Sequence, residues 1–222
     1  MDYYFMTLSA IKKLLSDIGM TEYSDVVGEC IEKWKNEGDS AAFKKAFDAK
    51  GAFENFRIDT RIIPDVEKCF WTANTFSALI AMSAQLAYFH QKGIKPEIDF
   101  MRKNFGVANE IMIVSKCADC GRLEATLTDI DRYISKPVIA KRIVDGMENG
   151  DLDMQVEVLM SAGAEEIKRE RRKVATRLEN SGIPYVESYG TVRNCLKCGK
   201  RNITEGRLLK SLKENIFIPL KK

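Results

Sequence analysis

The sequence predicts an α+β fold of two parts: a helical domain over residues 1–105, then a domain over residues 106–222 built from short strands and a helix-containing insert at about 128–190. Two observations carry this reading. Apolar residues recur three and four apart through the first 105 residues, the period of helices with one buried face. From Glu110 the pattern changes to β-type runs around two like turns, Cys117-Ala118-Asp119-Cys120-Gly121 and Cys195-Leu196-Lys197-Cys198-Gly199. With 45% apolar and 30% charged residues in 222, the composition is that of a globular chain and excludes a disordered one.

In the first part, Leu8, Ile11, Leu14, Leu15 and Ile18 form one helical stripe that Gly19 is placed to end. A second helix is expected from Thr21, as N-cap, through Val26, Val27, Cys30, Ile31 and Trp34 to the stop at Gly38. Asp39 then caps a short helix carrying Phe43, Ala46 and Phe47. Gly51 to Ile63 reads as a loop with Phe53 and Phe56 turned inward. Pro64 suits the first turn of a long apolar helix that runs to about Gln91, before Gly93 and Pro96. Its stretch Cys69 to Phe89 is long enough to span a membrane, but Thr72, Asn74, Thr75, Ser77, Ser83 and Gln85 interrupt it, so a buried helix is expected. Ala73, Ser77, Ala81 and Ala84 would let another helix approach closely, inside the fold or across a homo-oligomer interface through the 64–91 helix. A last helix is expected from Glu97 to Asn104.

Trp34, the segment Lys50-Gly51-Ala52-Phe53-Glu54-Asn55-Phe56 and Asn74 together resemble a family of small, uncharacterised bacterial helical domains. The resemblance covers about 80 residues, lacks that family's double glycine and Asn-Asp pair, and implies no activity.

In the second part, Ile111, Met112, Ile113 and Val114 read as a strand entering the first cysteine turn, and Leu123, Ala125 and Leu127 alternate on leaving it. Pro137 is placed to begin a helix from Val138 to Met147, followed by the polar break Glu148 to Asp151. Two readings then stand. Either Met154, Val156, Val158 and Met160 form a strand before a helix Ala164 to Asn180, giving a β-α-β insert, or Asp153 to Asn180 is one long helix with Gly163 inside it. Ser181-Gly182 stops that helix, Tyr185 to Tyr189 can return as a strand, and Thr204 is expected to start a final helix through Leu208, Leu209, Leu212 and Ile216.

Each cysteine pair can aim two sulfurs at one ion from a tight turn, and the glycine after it tolerates positive φ. Cys117, Cys120, Cys195 and Cys198 are therefore expected to hold one structural Zn2+ per chain, leaving Cys30 and Cys69 as core residues. A redox dithiol would instead open a helix, where the dipole lowers the first thiol's pKa. Strand, cysteine turn and strand resemble a zinc ribbon, whose second knuckle usually follows within about 15–20 residues. Here Gly121 to Asn194 intervenes, so the insert is unusually long.

Charge divides unevenly along the chain. Residues 1–105 hold 14 Lys/Arg against 15 Asp/Glu, residues 106–167 hold 6 against 12, and residues 168–222 hold 15 against 5. The last of these segments is a candidate polyanion surface. Lys168, Arg169, Arg171, Arg172, Lys173 and Arg177 surround the inward stripe Ile167, Val174, Ala175 and Leu178, while Arg193, Lys197, Lys200 and Arg201 surround the second cysteine turn. The one histidine, His90, has no imidazole partner. Glu165-Glu166 and Asp129/Asp131 read as solvated helix-start charges, and no phosphate loop, nucleophile elbow or HExxH is present. The expectation is a non-enzymatic, cytoplasmic zinc protein that contacts nucleic acid. The alternatives are a protein-interaction module (adaptor, immunity or inhibitor protein), which would present its helical domain or its acidic stretch 110–166, and, third, a thiol oxidoreductase. Asp2, Lys12 and Lys13 in the amphipathic opening do not make a signal peptide.

Overall fold

Helix α1 (Tyr3–Asp17) starts where the Asp2 carboxylate accepts the Phe5 amide at 2.9 Å, and it buries Leu8, Ile11, Leu14 and Leu15 completely. The computed structural model describes residues 2–49, 56–105, 111–150, 156–186, 194–201, 203–210 and 215–219. By contact density the chain forms two compact units, Met1–Val107 with Pro137–Gly163, and Ala108–Lys136 with Ala164–Lys222. Residues 137–163, part of the expected insert, thus group with the N-terminal helices.

In the first unit α1 packs on α2 (Thr21–Glu37) and α4 (Val66–Gln91), and α2 packs on α3 (Ala42–Asp48). Three expected helix starts move by a residue or more. Thr21 is the first helical residue of α2, with Met20 at the cap and no side-chain hydrogen bond. Pro64 lies outside α4, which is capped instead by the Asp65 carboxylate accepting the Lys68 amide at 2.7 Å; an acidic acceptor satisfies an orphan N–H that a proline ring cannot. Asp39, the expected cap of α3, instead accepts the Ala41 amide at 2.9 Å in the turn ahead of it, and Ala41 stands at the cap with no side-chain hydrogen bond. Gly38 ends α2 at φ +66° with its N–H donated to the Trp34 carbonyl. Gly38→Ala is therefore expected to lower stability by roughly 1 kcal/mol, the cost of a Cβ in the left-handed region, readable as a fall in Tm.

Helix α4 buries Cys69, Trp71, Phe76, Leu79, Met82, Leu86 and Phe89, and Phe56 stacks 4.7 Å from Phe76; Phe53 lies outside the described residues. Ser77, Ala81 and Ala84 are exposed on the opposite side. No helix among the described residues is long and apolar enough to cross a membrane. Helix α5 (Ile98–Phe105) buries Met101, and its Arg102 pairs with Glu148 and with Asp145 at 3.5 Å.

Helix α6 (Leu127–Asn149) begins ten residues before Pro137, the expected start. Two features explain the earlier start. Thr126 and Asp129 form a capping box, the Asp129 carboxylate accepting the Thr126 amide at 2.8 Å while the Thr126 hydroxyl accepts the Asp129 amide at 3.2 Å. Ile130, Ile134, Val138, Ile139, Ile143 and Met147 then keep a buried stripe across the proline, and this burial outweighs the one lost backbone hydrogen bond. Leu127 is accordingly the first helical residue and not a strand position. Helix α7 (Val156–Asn180) follows the long-helix reading, with Gly163 in its interior.

The second unit carries a five-stranded sheet in the order β3-β2-β1-β4-β5, made by β1 (Ile111–Cys117), β2 (Leu123–Thr126), β3 (Tyr185–Val186), β4 (Ile203–Lys210) and β5 (Asn215–Pro219). Strands β1, β2, β4 and β5 pair antiparallel, and β3 joins β2 in parallel. A parallel return needs a crossover, and α6 and α7 lie between β2 and β3 in the chain. The helix expected from Thr204 is instead the hairpin β4–β5. Leu208, Leu212 and Ile216 do fall four apart, but β4 pairs along all seven residues of β1, from Ile111 opposite Leu209 to Cys117 opposite Ile203. That ladder satisfies a strand edge that a helix would leave open, and Gly206 weakens any helix there.

Candidate metal centre

Strand β1 ends at Cys117 and β4 begins opposite it at Ile203, so the turn that follows β1 and the turn that precedes β4 meet at one end of the sheet. Both turns have the same construction. The Cys117 amide donates to the Arg122 carbonyl at 2.9 Å and the Gly121 amide to the Cys117 carbonyl at 2.9 Å; in the second turn Cys195 donates to Lys200 at 2.9 Å and Gly199 to Cys195 at 2.8 Å. Gly121 and Gly199 have φ of +73° and +70°, the region their position after the second cysteine was expected to need. Each turn points both sulfurs the same way.

The four sulfurs of Cys117, Cys120, Cys195 and Cys198 all lie within 4.8 Å of one another. Across the two turns Cys117 Sγ is 3.6 Å from Cys198 Sγ, and Cys120 Sγ is 3.5 Å from Cys195 Sγ. A tetrahedron of sulfurs around a metal at about 2.3 Å has edges of about 3.8 Å, whereas a disulfide needs about 2.05 Å. The spacing fits a tetrathiolate metal site and is too wide for cross-links, and all six cysteines are free. The cluster is compatible with a zinc-ribbon-like site. Cys30 and Cys69 are buried in the helical unit, apart from it.

Crowding shows in the thiols themselves. The amides of Cys120 and Asp119, with the Cys198 thiol, hold Cys117 down at about 7. Cys198 has the help of the Lys200 amide, yet desolvation and the neighbouring sulfurs push it up to about 12, and the same balance raises Cys120. Cys117 gives up its proton more readily than Cys120 or Cys198, so a divalent cation entering the cluster must expel protons. Neither cysteine pair opens a helix; both sit in turns that join or precede strands.

Sequence reasoning passed over a second layer. Glu124 on β2 is 1% exposed, its carboxylate accepts the Leu196 amide at 3.0 Å, and Arg122 Nε lies 3.2 Å from it. The one available signal was a carboxylate standing between Leu123 and Ala125, opposite in phase to those two strand residues. Asp131, read as a solvated charge, is also buried. Arg171 grips it with two parallel bonds, Nε to Oδ1 at 2.9 Å and a terminal nitrogen to Oδ2 at 2.8 Å, across 40 residues of sequence that no local pattern could join.

Arg171 therefore leaves the expected phosphate-facing set, because its guanidinium is committed within the fold. Lys168, Arg169, Arg172, Lys173 and Arg177 are exposed on α7, and Val174, Ala175 and Leu178 form the buried stripe as expected. Lys173 and Arg169 approach Glu170 at 2.6 and 3.7 Å. Lys197, Lys200 and Arg201 are exposed around the second turn, with Lys200 at 3.4 Å from Asp119; Arg193 lies outside the described residues. His90 sits with its ring 4.4 Å from Trp34 in the helical unit. No protein-family model matches the chain, and no curated protein or solved structure matches it.

Proposed function

We propose that this chain is a non-enzymatic protein in which one structural zinc, held by Cys117, Cys120, Cys195 and Cys198, supports a basic surface that contacts nucleic acid. The observation that carries the reading is the four-sulfur cluster. A tetrahedral ion with four thiolates has no position left for water or substrate, which is the mark of a structural site. Lys168, Arg169, Arg172 and Arg177 on α7 and Lys197 and Arg201 at the second knuckle supply exposed cations in the same unit as the metal.

Binding to single- or double-stranded nucleic acid should fall steeply with salt, with a log–log slope near −0.7 to −0.9 per phosphate engaged. The triple variant Arg172→Glu, Lys197→Glu, Arg201→Glu is expected to weaken binding and flatten that slope by about 2–3 while metal content stays unchanged. Failure of the wild type to retain nucleic acid at about 50 mM salt, where even non-specific binding is favoured, removes this reading. A protein-interaction module then takes its place. Leu196 favours that second reading, because it is 57% exposed at the knuckle, an apolar side chain offered beside Lys197.

A further inference from the structure

Among the described residues, Glu124 and Asp131 are the only carboxylates that are buried, and Arg171 accounts for the second. Glu124 stands on the strand that leaves the first knuckle, four residues after Cys120. Both its oxygens face the second knuckle, at 3.0 and 3.3 Å from the Leu196 amide, and Oε1 lies 3.7 Å from Cys195 Sγ. The carboxylate thus ties the strand of one cysteine pair to the backbone of the other. Burying it costs several kcal/mol, and an apolar side chain would fill the same place on β2 without that cost. What an apolar side chain would not do is hold the Leu196 N–H, which fixes the first peptide of the turn and with it the place of Cys195.

We infer that Glu124 is a positioning residue of the metal centre: by accepting the Leu196 amide it sets Cys195 against Cys120 before the ion arrives, while Arg122 balances its charge beside the thiolates. The inference rests on the metal-binding reading above. Partners at this remove typically change metal affinity 10–100-fold.

The test is a Co2+ titration of the full chain, followed by the absorption of tetrahedral tetrathiolate cobalt, with Zn2+ competition. Glu124→Met is expected to bind both ions about 10–100-fold more weakly, with its metal-free stability lowered because the Leu196 amide loses its acceptor and Arg122 its partner. Glu124→Gln keeps an acceptor for Leu196 and is expected to stay near the wild type. Should Glu124→Met fail to fold, Glu124→Asp, which draws the carboxylate back by one methylene, carries the same expectation of weaker binding. Wild-type affinity in Glu124→Met, or a loss in Glu124→Gln equal to that in Glu124→Met, overturns the assignment. A wild-type chain that gives no tetrathiolate spectrum overturns the metal reading itself, and the inference with it.

Discussion

Cys117→Ser is expected to abolish tight metal binding and to unfold the sheet of the second unit while the helical unit stays folded. A hydroxyl is a poor substitute for a thiolate, and three sulfurs cannot close the tetrahedron. The loss is large because the ion's binding free energy is folding free energy in such modules, on the order of 10 kcal/mol in apparent terms. The helical unit has its own core in Leu8, Ile11, Leu14, Leu15, Leu79 and Met82, each 0–1% exposed. Both tryptophans, Trp34 and Trp71, lie in that unit, so their fluorescence reports it separately from the sheet. Elemental analysis should give about one zinc per wild-type chain and little for Cys117→Ser. Denaturation should show the early loss of β-structure with the tryptophan transition preserved. Cys30→Ala and Cys69→Ala should retain the metal; its loss in either would show that the wrong thiols have been assigned.

Arg171→Met is expected to destabilise the second unit by about 3 kcal/mol, the lower end of the cost of stranding one member of a buried ion pair. The lower end applies because Arg171 is 30% exposed, although Asp131 is only 5% exposed. The double variant Asp131→Leu, Arg171→Met should recover most of the loss, since it removes the unpaired carboxylate together with its desolvation cost. Denaturant midpoints of the two variants decide the matter, and a loss below about 0.5 kcal/mol in the single variant, the range of ordinary surface changes, would mean that the pair holds nothing. The salt slope of any nucleic-acid binding should be the same in the double variant Asp131→Leu, Arg171→Met as in the wild type, because this arginine grips Asp131 and not phosphate.

The helices of the first unit were readable because each buries one stripe of its own residues, and Leu8, Ile11, Leu14 and Leu15 state that stripe within eight positions. The cysteine cluster was readable for a related reason. A Cys-x-x-Cys-Gly turn carries its geometry locally, so two like turns announce one four-sulfur cluster even 74 residues apart. Pro137 misled, because a local signal for a helix start competed with a capping box and an apolar stripe that begin upstream of it. Residues 153–180 stayed open in the sequence between a strand with a helix and one helix. Residues 204–216 read as a helix because Leu208, Leu212 and Ile216 fall four apart, a local spacing that the pairing of β4 with β1 overrides.

By itself, then, the sequence determined the α+β class, the helical stripes of the first 105 residues and the construction of the two cysteine turns, each of them a property of residues within a few positions of one another. Tertiary structure alone decided the hairpin β4–β5, the grip of Arg171 on Asp131 and the burial of Glu124 beneath the second knuckle. In all three the deciding partner lies far along the chain: β1 for β4, Asp131 for Arg171, Leu196 for Glu124. A strand edge, a guanidinium and a carboxylate each need something to pair with, and which partner they find is settled by how the chain returns on itself, not by their neighbours in sequence.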